Sequence, residues 1–158
     1  MQPTTSNAPG QIITKGKYLY TSITINADIN KVWDLLMDFA AYPSWNPFIV
    51  SITGNAAKGN RITATICPPG SKGMKMQPTI LQCIPNKELR WLGSLGIPYI
   101  FDGEHTFRLE DNGNDSTTLH HYERFRGLLV PFLSKMLDIN TLQGFELMNA
   151  ALKKRAEQ

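Results

Sequence analysis

Long apolar runs are missing from this sequence. No stretch approaches the ~18 residues that a membrane-spanning helix requires, so no stable membrane insertion is expected. Cysteine is scarce. The two that occur, Cys67 and Cys83, have neither CxxC nor zinc-finger spacing. Each falls in a β-prone stretch, which favours two buried thiols over a disulfide or a metal site. Clustered charge is also lacking: the formal net charge is +3, and the one basic run, Lys153 to Arg155, suits a solvated helix end. That leaves no nucleic-acid footprint. The first residues show no charged segment followed by an apolar core, so no secretory signal is expected and a cytoplasmic location follows. There is no nucleophile elbow, phosphate-binding glycine loop or HExxH helix, and nothing calls for a cofactor or a metal.

What is present is enough for one domain. A chain of 158 residues buries about 69% of its unfolded surface, which builds a core without disulfide or metal staples. Residues 1–16 are polar and broken by Pro3, Pro9, Gly10 and Gly16, and read as a flexible tail. Residues 17–158 carry the domain. Its organising element is the segment 130–158. Pro131 suits a first helical turn, and Phe132, Met136, Ile139, Leu142, Phe145, Met148 and Leu152 recur at steps of three or four. Lys153, Lys154 and Arg155 complement the negative end of the helix dipole. Gly144 interrupts this helix, where glycine costs about 1 kcal/mol against alanine. It implies either close packing on a strand or room for a ligand.

Before that helix the chain is mostly β. Residues 17–26 are aromatic and β-branched, a strand with Leu19, Thr21, Ile23 and Ile25 on one face. Asp28 is a suitable N-cap for a short amphipathic helix with Ile29, Val32, Trp33, Leu36 and Met37 inward. A further helical turn or two follows, closed by Pro43 and Pro47. Strands are expected at 48–53, 61–67, 72–84, 88–93, 100–110 and 116–126, with Pro78 marking an edge or bulge in the third. Strands in succession with helices segregated to one face define an α+β fold. Here it is a curved antiparallel sheet of about six to seven strands around a long C-terminal helix, with two short helices after the first strand. A curved sheet around one helix encloses a hollow suited to apolar ligands.

The last hairpin carries the polar candidates. A turn centred near Gly113 sets His105 opposite His121, on the same face as Phe107, Leu109, Leu119 and Phe125 because side chains alternate. Glu123 shares that face, while His120, Tyr122 and Arg124 fall outside or at the rim. Two imidazoles and a carboxylate in an apolar setting admit three readings. They form a buried His–Glu pair that fixes register, a contact that orients a ligand, or an acid–base or metal group. Trp45, between two prolines, suits packing or gating of a cavity mouth. Asn46 suits a turn that satisfies local backbone groups. Trp91 suits core or pocket lining. Met74 and Met76 adapt to irregular apolar shapes. Met136, Gly144 and Met148 on the last helix complete the set of ligand-lining candidates.

Several stretches resemble the START-related helix-grip superfamily, in its polyketide cyclase/dehydrase-like branch. They are Ile23-Thr-Ile-Asn-Ala-Asp28, Val32-Trp33-Asp34-Leu35, Tyr42-Pro-Ser-Trp45-Asn46-Pro47-Phe48-Ile49, Leu89-Arg-Trp91-Leu-Gly93, His105-Thr-Phe-Arg-Leu-Glu110 and Glu123-Arg-Phe125-Arg-Gly127. The Trp-Asn-Pro-Phe stretch is the most specific, and the likeness spans about residues 17–157. The resemblance implies a cavity for lipids, polyketides or other hydrophobic molecules. It does not imply one activity, because a fold carries no single function. The leading expectation is a non-catalytic binder or carrier whose partner is a small hydrophobic molecule. A cyclase or dehydratase using His105, His121 and Glu123, and a protein-interaction module, are the alternatives. No oligomeric state is specified.

Overall fold

The computed structural model of the protein describes residues 16–158; the tail expected at 1–16 lies outside these apart from Gly16, which opens the first strand. Strand β1 (Gly16–Ile25) leads through the Asp28 cap into helix α1 (Ile29–Met37). The Asp28 carboxylate accepts from Asn30 N at 2.8 Å, satisfying one of the free amides of the first turn. Val32, Trp33 and Leu36 are the buried stripe. A 3-10 turn (Phe39–Ala41) and the short helix α2 (Tyr42–Trp45) follow. Asn46 then closes the turn as its side chain accepts from Phe48 N and Ile49 N at 3.0 and 2.9 Å.

The expected single sheet is divided in two. Strands β2 (Ile49–Thr53), β3 (Thr63–Ile66) and β4 (Met74–Met76) form a small antiparallel sheet. Strands β5 (Thr79–Ile84), β6 (Glu88–Ser94), β7 (Asp102–Gly113) and β8 (Ser116–Arg126) join β1 in the order β1-β8-β7-β6-β5. The strand anticipated across 72–84 is therefore two, and Pro78 is the break. With no N–H to give a ladder, proline ends β4, and the chain crosses to the larger sheet. A seam of backbone bonds, Ile62 N to Pro78 O and Ile80 N to Asn60 O, holds the sheets together.

The β7–β8 hairpin corrects the expected register. Its turn residues Asn114 and Asp115 both have positive φ, 53° and 54°, the backbone of a two-residue I′ turn. With an irregularity between Asp111 and Gly113, pairing places His105 opposite Glu123 and Phe107 opposite His121. A shift of two residues keeps every side chain on its face. The cysteines are free, as expected, but half-buried where buried thiols were expected.

The C-terminal segment is helical but not continuous. Helix α3 (Val130–Met136) passes through a π-helical turn (Leu137–Thr141) into helix α4 (Leu142–Ala156). The wider turn rotates the buried face onto Val130, Leu137, Thr141, Phe145, Met148 and Leu152. Phe132, Met136 and Ile139, expected on the buried stripe, are exposed. Lys153 is not simply solvated, because its Nζ donates to Thr24 O at 2.8 Å and ties the last turn to β1. No helix among the described residues is long and apolar enough to cross a membrane.

Candidate functional site

The concave face of the larger sheet meets α4 through an aromatic layer. Phe145 stacks on His121 with ring centroids 3.9 Å apart and meets Phe48 edge-on at 5.4 Å. Gly144 lies directly under Phe48: a Cβ there would collide with the ring. Gly144 is thus a close-packing glycine and not a cavity wall. Together these groups fill most of the hollow expected between sheet and helix.

A cavity of about 90 Å³ stays open toward α3 and the small sheet, and a wider groove of about 340 Å³ runs on the other side between β1 and α4, with Thr21, Glu146 and Asn149 along it. The cavity walls include Met74, Met76, Trp91, Phe125 and Met136, with His105, Glu123 and Thr141 as polar members. Trp45, Phe107, His121, Gly144 and Met148, expected at the ligand, are not on it. Phe107, His121 and Met148 are fully buried behind the wall, and Trp45 packs on Tyr42 with centroids 5.0 Å apart. Phe48, Phe101, Leu137 and Thr141 line the cavity without having been anticipated. Leu137 and Thr141 are the two ends of the π turn. Gly103 lines it too, and for a reason: a Cβ there would strike Glu123 Oε1, so the missing side chain makes room for the carboxylate.

His105, His121 and Glu123 come together, in line. Glu123 Oε2 is 3.2 Å from His105 Nδ1, and His105 Nε2 is 2.9 Å from His121 Nε2. His121 Nδ1 is 2.8 Å from Asn149 Oδ1, and Asn149 Nδ2 donates to Thr21 Oγ1 at 2.8 Å. Both nitrogens of His105 are spent within the chain, so the three side chains do not converge on a point as metal ligands do. Among the described residues no group of three or more such side chains is placed to hold a metal. Trp91 lies flat against His105, centroids 5.0 Å apart and planes 9° apart. Asn149 was missed in the sequence. The signal was there: a polar residue four positions after Phe145, on the apolar side of the helix.

Burial, reinforced by the neighbouring His105, pushes the His121 pKa well below its ordinary value, only partly opposed by the Asn149 hydrogen bond. The folded ring therefore stays neutral where the unfolded one, titrating near ~6.5, takes a proton. The unfolded state binds the extra proton, so His121's contribution to stability falls as pH drops below that value and is constant above it. The slope is about 1.4 kcal/mol per pH unit at most. Urea midpoints measured from pH 8 to 5 should decline more steeply for the native protein than for His121→Leu. Equal slopes would mean that the imidazole is not held neutral.

A patch of exposed apolar residues lies on the segments that lead into the cavity residues Phe101 and Met136. Ile97, Tyr99, Leu128 and Phe132 are 70, 81, 72 and 83% exposed. They sit on the loop 95–101 and on residues 128–132, at and just before the start of α3, which Leu128 N–Tyr99 O and Leu129 N–Ile100 O bonds hold together.

Comparison with known proteins agrees with this architecture. No curated protein sequence matches. Among solved structures, the Zhui aromatase/cyclase from Streptomyces sp. R1128 is 14% identical with a TM-score of 0.74, covering 90% of this chain and 94% of that one. A START superfamily protein from Mycobacterium smegmatis is 21% identical with a TM-score of 0.68, over 89% and 97% of the two chains. Norcoclaurine synthase from Thalictrum flavum, in complex with dopamine and hydroxybenzaldehyde, is 14% identical with a TM-score of 0.68, over 97% and 96%. At such identities these likenesses establish the helix-grip fold. The family model described as polyketide cyclase/dehydrase and lipid transport matches residues 19–157, and the chain belongs to that family.

Proposed function

We propose that the protein binds a small hydrophobic molecule in the cavity between the larger sheet, α3 and the small sheet, with one polar group of the ligand against Glu123 and His105. The observation that carries this reading is an apolar cavity whose wall holds a carboxylate and an imidazole, the latter only 3% exposed. Apolar walls with a few placed polar groups are the usual make-up of a small-molecule site. At about 90 Å³ the cavity holds about three waters at ~30 Å³ each, whereas sites for drug-sized ligands measure ~300–1,000 Å³. A larger ligand therefore displaces wall residues such as Phe101, Met136 and Leu137, which neighbour the exposed apolar patch along the chain. The exposed Ile97, Tyr99, Leu128 and Phe132 give a hydrophobic molecule an apolar surface to cross on its way in. The complex of norcoclaurine synthase with dopamine and hydroxybenzaldehyde supports a site for small molecules in a chain of this fold.

The test is binding of neutral N-phenyl-1-naphthylamine followed by fluorescence, with native mass spectrometry of the purified protein for a retained adduct. Saturable binding is expected, and Ile66→Trp, which fills the cavity from β3, should weaken it about tenfold while the thermal midpoint shows the fold intact. Absence of both saturable binding and adduct, or an undiminished affinity in the filled variant, would overturn the reading.

An enzymatic reading, cyclase or dehydratase, draws support from the same wall. Glu123 and His105 reach the cavity while His121 stands behind them, so proton transfer to a bound carbonyl compound would run through Glu123 and His105. Glu123→Gln keeps the shape and removes the charge. It should abolish turnover of any identified substrate while leaving its binding within a few fold, and unchanged turnover would exclude Glu123 from the chemistry.

A further inference from the structure

Asn149 is 2% exposed, lies behind the cavity wall, and makes two hydrogen bonds whose directions follow from one fixed point. That point is the backbone carbonyl of His121, which can only accept. The Thr21 hydroxyl approaches it at 3.3 Å and spends its proton there. Thr21 Oγ1 is then the acceptor for Asn149 Nδ2, which turns the amide oxygen toward His121. His121 Nδ1 must carry a hydrogen to meet that oxygen. Because the buried ring is neutral, its Nε2 is bare and accepts from His105 Nε2–H. One contact is left. A neutral His105 protonated on Nε2 would aim a bare Nδ1 at Glu123 Oε2, 3.2 Å away, lone pair against lone pair. The contact is a hydrogen bond only if one further proton lies between them.

We propose that Asn149 is a positioning residue: it sets the direction of this chain, thereby loads one proton onto the His105–Glu123 pair, and leaves Glu123 Oε1 as the acceptor offered to a ligand hydroxyl. Oε1 lies over the bare α-carbon of Gly103 and has no hydrogen-bond partner among the described residues. The titratable groups facing His105 are His121 and Glu123, both on β8. β6 presents Trp91 and α4 presents Phe145, neither of which is charged. The loaded pair is neutral overall, so a ligand carboxylate finds an acceptor and no net counter-charge, whereas an alcohol finds its complement. This ligand preference rests on the cavity reading above; the placement of the proton does not.

Histidine-labelled protein examined by long-range proton–nitrogen correlation at pH 7 tests the proton placement directly. His121 should show a neutral ring with its hydrogen on Nδ1, and His105 should carry a hydrogen on Nε2. A His121 ring protonated on Nε2, or a neutral His105 protonated on Nδ1, would overturn the proposal. In Asn149→Leu the anchor is gone, and both rings should reverse, His121 to the Nε2–H form and His105 to the Nδ1–H form facing an ionised Glu123. Should that variant not fold, Thr21→Val frees the amide to rotate and should yield both forms of His121. Unchanged spectra in whichever variant folds would remove Asn149 from the role. Titrating benzyl alcohol and benzoate into the same labelled protein tests the ligand class. The alcohol should bind about tenfold more tightly and move the His105 signals, an energy of about 1.4 kcal/mol. Benzoate binding equally well would overturn the ligand preference. If neither binds, the cavity reading fails, and the spectra still decide the proton placement by themselves.

Discussion

Replacing Phe145 with alanine is expected to lower the free energy of unfolding by about 3–5 kcal/mol, the range for truncating a buried aromatic. The side chain is fully buried. It stacks on His121 at 3.9 Å and meets both Phe48 and His105 edge-on, at 5.4 and 5.3 Å. It is thus the contact through which α4 holds the hairpin and the small sheet at once. Against a total of about 5–15 kcal/mol for a domain, the loss is severe. Urea unfolding should show a much lower midpoint with the slope unchanged. A loss below about 1.5 kcal/mol would place the grip of the helix elsewhere, since even conservative core changes reach that size.

Gly144→Ala is expected to destabilise the protein by about 1–3 kcal/mol, although alanine favours a helix interior by about 1 kcal/mol. The added methyl meets the Phe48 ring, itself 1% exposed and held edge-on to Phe145, so it cannot simply turn aside. Sterics therefore reverse the sign that propensity alone would give. Phe48→Leu withdraws the ring and should reduce the cost of the alanine. A double-mutant cycle should return a favourable coupling of about 0.5–3 kcal/mol. Strict additivity, or a stabilising Gly144→Ala, would show that the helix and the Phe48 ring are not in contact there.

The same residues mark how far the sequence could be read. Face assignments along β1 and the β7–β8 hairpin were legible because alternation has a period of two. A register displaced by two residues still left His105, His121 and Glu123 on one side. The displacement itself was not legible, because it depends on Asn114 and Asp115 both taking positive φ and on an irregularity beside Asp111. The helical stripe was legible from Phe145 to Leu152. It misled for Phe132, Met136 and Ile139, since a period of 3.6 assumes an uninterrupted helix and the turn Leu137–Thr141 is wider than that. The two sheets had only Pro78 to announce them.

The sequence by itself determined the family, the order of the elements and the faces of its strands and first helix. The family was legible as a resemblance, carried chiefly by Trp45-Asn46-Pro47-Phe48; the order and the faces follow from local chemistry: β-branched alternation, an Asp28 cap, prolines that deny a backbone donor. Tertiary structure decided the size of the hollow, because that depends on how Phe48 seats on Gly144 and how a π turn rotates α3. It also decided which polar groups reach the cavity, since Gly103 gives Glu123 its space and Asn149 meets His121 from another element, across distances along the chain that no local pattern encodes.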